Sequence, residues 1–95
     1  MFGIDITEVA PLQGRRLRLR FADGVSGELH LDHVLKGGYR GVFSRLLDDA
    51  FFNQVRVNPE LGTIVWPNGA DLCPDVLYAH ATGKPIVVNG ERVMN

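Results

Sequence analysis

The sequence predicts a two-layer α+β domain: an antiparallel sheet of about five strands in two hairpin units, with a short C-terminal helix packed on one sheet face. Three observations carry this prediction. Residues 16–31 alternate polar and apolar side chains on either side of a glycine-bearing loop. Residues 54–66 alternate again around Pro-Glu-Leu-Gly, and residues 73–83 open on Cys-Pro and close on glycine, the marks of a short helix.

From Arg16 to Phe21 the apolar side is Leu17, Leu19 and Phe21, and the polar side is Arg16, Arg18 and Arg20. Period two is the pattern of a half-buried strand. Ala22-Asp23-Gly24 fits a three-residue hairpin loop with glycine at its left-handed position, and Val25 to Leu31 returns as the partner strand. Pairing Phe21 with Val25 sets Leu17 opposite Leu29 on the core face, and Arg18 opposite Glu28 and Arg16 opposite His30 on the wet face. A two-residue loop would oppose Leu19 and Glu28 across conflicting faces, so the longer loop is preferred. Ile4 to Val9 is the first strand, entering through Pro11 to Gly14.

Residues 31–53 lose the alternation at Gly37, Gly38 and Gly41 and read as a connector with short helical pieces, a turn at Asp32 to Leu35 and a helix of little more than one turn at Val42 to Leu47. In "QVRVNPELGTIVW" a four-residue loop, Pro59 to Gly62, sets Val57 against Ile64 and Val55 against Trp66. Pro67-Asn68-Gly69 supplies a turn, and Pro74 takes the first helical position of a helix over residues 74–82 ended by Gly83. At 100° per residue, Cys73, Val76, Leu77, His80 and Ala81 share the face expected to meet the sheet, with Asp75, Tyr78 and Ala79 opposite. Residues 1–83 thus form one domain. Residues 84–95 are a tail with an Asn89-Gly90 turn signal, readable as an edge hairpin, a dimer arm or a disordered segment.

An apolar fraction of 45% and a charged fraction of 22% place the 95-residue chain among ordinary globular domains. Net charge is −1, divided as +2 over residues 1–47 and −3 over residues 48–95, so the chain as a whole has no electrostatic pull toward nucleic acid or anionic membrane. The single cysteine, Cys73, excludes an intrachain disulfide and fits a reducing compartment. Asp5 and Glu8 stand where a signal peptide needs a basic start and an apolar core, and no apolar run approaches the roughly twenty residues of a membrane span. The expected location is the cytoplasm, and the expected state is a monomer or small homo-oligomer.

The stretch "TIVWPNGADLCPDVLY", with the hairpin "LRLRFADGVSGELHLDHVL" ahead of it, resembles a bacterial family known only as domain of unknown function 2442. The resemblance runs over residues 4–80. Its most specific part is Trp66-Pro67-Asn68-Gly69, Asp71-Leu72 and Pro74. It implies a small α+β domain with an antiparallel sheet and a short C-terminal helix, and it implies no activity. Some relatives carry an added helix-turn-helix domain, and others are encoded beside a second small protein in a toxin–antitoxin-type pair. The sequence lacks that added domain, so direct operator recognition is not expected.

Five groups of residues are candidates for chemistry. Cys73 sits at a helix N-cap, where backbone N–H groups favour a thiolate, although a small residue packed under a helix is the simpler reading. His80 lies about 10 Å further along the axis, too far to act as its base. His30 and His33, with Asp32 between them, give H-x-x-H spacing that on a helix could hold a metal; solvated side chains at a strand end are the simpler reading, and no Glu stands inside the motif as zinc proteases need. Arg16, Arg18 and Arg20, with Arg15 beside them, form a basic ridge suited to phosphate or an acidic partner, against a plain solvated face neutralised by Glu28 and Glu8. Asp71 and Asp75 are better placed to accept backbone N–H bonds than to act as an acid–base pair. Trp66 anchors the core, and its indole N–H needs a buried partner.

No constellation specifies catalysis, and no cofactor or metal is expected. The leading expectation is a non-enzymatic protein-binding module that works with a small protein encoded nearby, using a sheet edge or the Arg16, Arg18 and Arg20 face. The alternatives are an accessory protein that contacts nucleic acid through the same arginines, and a thiol-dependent enzyme at Cys73.

Overall fold

Apolar residues at every second position set the first hairpin as a pair of strands. β1 (Ile6–Leu12), β2 (Arg16–Phe21) and β3 (Ser26–His30) form an antiparallel sheet in that order, with β2 in the centre. The computed structural model describes residues 4–83 and two short strands beyond them, 86–88 and 91–93.

The first hairpin takes the register that its side-chain pattern predicts, with Leu17 opposite Leu29, Arg18 opposite Glu28 and Arg16 opposite His30. Its loop is Ala22-Asp23-Gly24. The Phe21 N–H donates to the Val25 carbonyl and the Gly24 N–H to the Phe21 carbonyl, each at 2.9 Å, while the Asp23 carboxylate accepts the Val25 N–H at 3.0 Å. Gly24 has φ 87°, a left-handed angle that a side chain would strain. β1 runs further than expected, through Pro11 to Leu12, and the link to β2 shrinks to Gln13-Gly14-Arg15. An edge strand tolerates a residue without an N–H, so the proline does not end it.

β4 (Arg56–Asn58) and β5 (Thr63–Val65) form the second ribbon, with Val57 opposite Ile64 as expected. The ribbon stops one pair short of the expected Val55–Trp66 contact, because the Trp66 N–H turns to the Ala70 carbonyl at 2.9 Å. Both side chains remain in the core. The five strands therefore fall into two sheets, which meet where the Ile6 N–H donates to the Gly62 carbonyl at 3.0 Å.

Three short helical pieces make up the connector: α1 (Leu31–Val34), a 3₁₀ helix (Gly41–Leu47) and α2 (Asp49–Phe52). α2 is not apparent in the pattern. Asp48 starts it by accepting the Ala50 N–H at 3.0 Å, and it buries Phe51 and Phe52.

α3 (Pro74–Thr82) has the expected bounds, with Pro74 in its first turn and the Gly83 N–H on the Ala79 carbonyl. Its buried face is broader than the helical-wheel expectation. Leu77 is fully buried, and Tyr78, expected on the outer face, stands edge-on to Phe21 with ring centroids 4.8 Å apart. A tyrosine can do this because its ring packs while its hydroxyl stays wet, here donating to Asp23 at 2.8 Å. Ala79, also expected outside, is buried, whereas Cys73 is exposed.

The core joins both sheets to the helices through Ile6, Leu17, Leu19, Phe21, Leu29, Leu46, Phe52, Ile64, Trp66 and Leu77. β6 (Ile86–Val88) pairs antiparallel with β7 (Glu91–Val93). The expectations for the rest of the 84–95 tail lie outside the described residues. Among the described residues no helix is long and apolar enough to cross a membrane.

Candidate functional site

Because the core takes one side of β2, the other side is left as a row of arginines on the central strand of the sheet. Arg16, Arg18 and Arg20 are exposed while Leu17, Leu19 and Phe21 are buried. Across the ladders, Arg16 lies between Leu12 and His30, Arg18 between Ala10 and Glu28, and Arg20 between Glu8 and Ser26.

The charges do not pair straight across. Glu28 reaches diagonally to Arg16, Oε1 to Nη1 at 3.3 Å, although Arg18 is its direct neighbour. Diagonal neighbours on a sheet lie within reach of long side chains, and the Arg16 Nε is already held on the Gln13 carbonyl at 3.1 Å. Glu28 thus neutralises part of the face as expected, at Arg16, whereas among the described residues Glu8, across the ladder from Arg20, makes no ion pair, and Arg18 and Arg20 have none. Both line a shallow depression with Glu8, Ala10 and Ser26.

Arg15 leaves the ridge altogether. It has φ 61°, and its guanidinium pairs with Asp49, donates to the Leu47 carbonyl at 3.0 Å and lies 5.7 Å from the Phe52 ring centre. It ties the β1–β2 turn to α2.

The Trp66 to Pro74 stretch closes a corner. The Trp66 indole N–H, which sequence alone says must find a partner, donates to the Phe52 carbonyl at 3.0 Å. Pro67, Asn68 and Gly69 form the turn, closed by the Gly69 N–H on the Trp66 carbonyl. Asn68 holds both sides of it, accepting from the Ala70 N–H at 3.1 Å and donating to the Val42 carbonyl at 2.9 Å. Asp71 contributes a backbone bridge to Val65 and Thr63 donates to the Leu72 carbonyl, after which Pro74 opens α3. Contrary to expectation, neither the Asp71 nor the Asp75 carboxylate accepts a backbone hydrogen bond among the described residues. Asp75 sits in the first turn of α3, where a negative charge meets the positive end of the helix without a specific bond. The Cys73 side chain likewise makes no cap bond.

The histidines come together in a way that spacing does not announce. His30 ends β3, His33 lies on α1 and His80 on α3, and all three line one depression with Arg16, Glu28 and Leu29. The His30 and His33 ring centres are 5.5 Å apart. Among the described residues no group of three or more His, Cys, Asp or Glu is arranged to hold a metal ion. Next to the cluster, Tyr39 donates to Asp32 at 2.5 Å, and burial, followed by that bond and the Asp32 charge, pushes its hydroxyl far above the ordinary tyrosine value.

The His80 imidazole is held below its ordinary value of 6.5, first by burial and then by the charges of Lys36 and His33. A folded value below the unfolded one makes proton uptake favour the unfolded chain. Its contribution to stability is therefore full above about pH 6.5 and is lost as the pH falls below that value. His80→Gln should flatten this acid limb when urea midpoints are compared on the two sides of pH 6.5. An unchanged limb would contradict the assignment.

The family model described as "Protein of unknown function (DUF2442)" matches residues 6–83. No curated protein and no solved structure matches the chain.

Proposed function

The chain belongs to the DUF2442 family of proteins of unknown function, and we propose that it is a non-enzymatic binding module whose Arg16, Arg18 and Arg20 face docks an acidic protein. One observation carries the proposal: Arg18 and Arg20 stand side by side on the rigid central strand with no ion-pair partner among the described residues, while Glu28 is engaged by Arg16. Unpaired guanidinium groups on a sheet keep their hydrogen-bond donors for a carboxylate. The partner suited to them is a small acidic protein encoded nearby, in a pair of the toxin–antitoxin type. Cytoplasmic location and the absence of catalysis are parts of the same reading.

The test compares a short glutamate-rich peptide with single-stranded DNA as ligands, each at low and moderate salt. The peptide should bind, and Arg18→Glu with Arg20→Glu should weaken it about tenfold or more, roughly 1.4 kcal/mol, with the fold unchanged by circular dichroism. Tighter DNA binding with a steep salt slope would transfer the face to nucleic acid. Peptide binding indifferent to both substitutions would exclude this face.

A further inference from the structure

We propose that the depression lined by Arg16, Glu28, His30, His33 and His80 is a proton-gated carboxylate subsite at one end of the arginine row, taking an acidic side chain of the partner more tightly as the pH falls. The inference rests on the arginine-face reading above and adds a specific pocket and a condition to it.

Geometry selects the ligand class. The His30 Nδ1 accepts the Asp32 N–H at 3.1 Å, so the neutral ring carries its proton on Nε2. A ring in that state is a donor at Nε2 and has no lone pair there for a metal. Arg16 adds a second donor group: its Nε is on the Gln13 carbonyl and its Nη1 on Glu28, which leaves Nη2 unengaged among the described residues. Two donors beside the buried side chain of Leu29 suit an oxyanion.

Charge supplies the gate. Among the described residues the fixed charges around the pocket are Arg16 on β2, Glu28 on β3, Asp32 on α1 and Lys36 just beyond it, two of each sign, so at neutral pH these four cancel. Asp32 is occupied by the Tyr39 hydroxyl and lies 3.8 Å from His30 Nδ1. The chain has three histidines and all of them line this pocket, so every proton they take up makes it more positive. A glutamate ligand keeps its own charge across the imidazole range, because its carboxyl titrates near 4.3.

The experiment titrates the intact protein with the same glutamate-rich peptide at about pH 7.5 and about pH 5.5, with inorganic phosphate as a competitor. Affinity should rise about tenfold at the lower pH. The triple variant His30→Gln, His33→Gln, His80→Gln, with its fold checked by circular dichroism, should bind the peptide with the same affinity at the two pH values. His33→Gln alone, at an exposed position, should lose part of the rise. Binding that ignores pH, or a rise that survives in the triple variant, overturns the subsite and leaves the arginine face standing. Absence of peptide binding at both pH values overturns the arginine-face reading itself. Displacement by phosphate as effective as by free peptide would assign the pocket to small oxyanions and overturn the partner carboxylate.

Discussion

Gly27→Ala is expected to destabilise the domain by about 3 kcal/mol, opposite in sign to the usual effect of alanine for glycine inside a strand. Gly27 lies on the core side of β3 where α3 crosses. A Cβ there would stand 2.1 Å from the Ala81 carbonyl oxygen and 2.8 Å from its carbon. Both atoms are backbone and cannot rotate away, so the helix must lift from the sheet. Lifting it would part the Tyr78 ring from Phe21 and draw Leu77 out of the core. Urea unfolding at neutral pH reads the loss directly; a variant as stable as the parent would show that α3 is not seated on Gly27.

Trp66→Ala should cost about 4 kcal/mol, a large share of the total for a domain of this size. The side chain is 1% exposed and packs on Phe52, with ring centres 6.2 Å apart. Two effects add. Removing the indole leaves a cavity between the second ribbon and α2, and the Phe52 carbonyl loses its donor. Trp66→Phe keeps most of the packing but loses the hydrogen bond and the volume of one ring, and should cost about 1–3 kcal/mol. The phenylalanine variant should still bind the acidic peptide, because Trp66 lies in the core and not on the arginine face. Equal stability of Trp66→Phe and the parent would mean that the indole bond contributes nothing.

The first hairpin was legible to the residue because two independent constraints agree: period-two burial fixes which side chains face inward, and Ala22-Asp23-Gly24 fixes the loop length. The second ribbon was legible for the same reason up to Trp66, where the chain turns toward Ala70. α3 is marked at both ends by Pro74 and Gly83, but its buried face is broader than the helical period implies because Tyr78 packs its ring while keeping its hydroxyl in water. α2 was hidden because four residues are too few for a helical period to show. The arginine row was visible in sequence, whereas its charge balance was not. Pairing of Glu28 with Arg16 in preference to Arg18, and withdrawal of Arg15 to Asp49, depend on which long side chain reaches which partner in three dimensions. The gathering of His30, His33 and His80 is a product of α3 docking on β3 and α1, and no local spacing encodes it.

Backbone amide chemical-shift mapping during titration with the glutamate-rich peptide bears most directly on the central claim. The expected perturbations run along Arg16 to Phe21 and onto Glu8 to Leu12 and Ser26 to His30 across the ladders, with Trp66 to Asp71 unmoved. Shifts centred on Cys73 or the Trp66 corner, with Arg16, Arg18 and Arg20 silent, would contradict it.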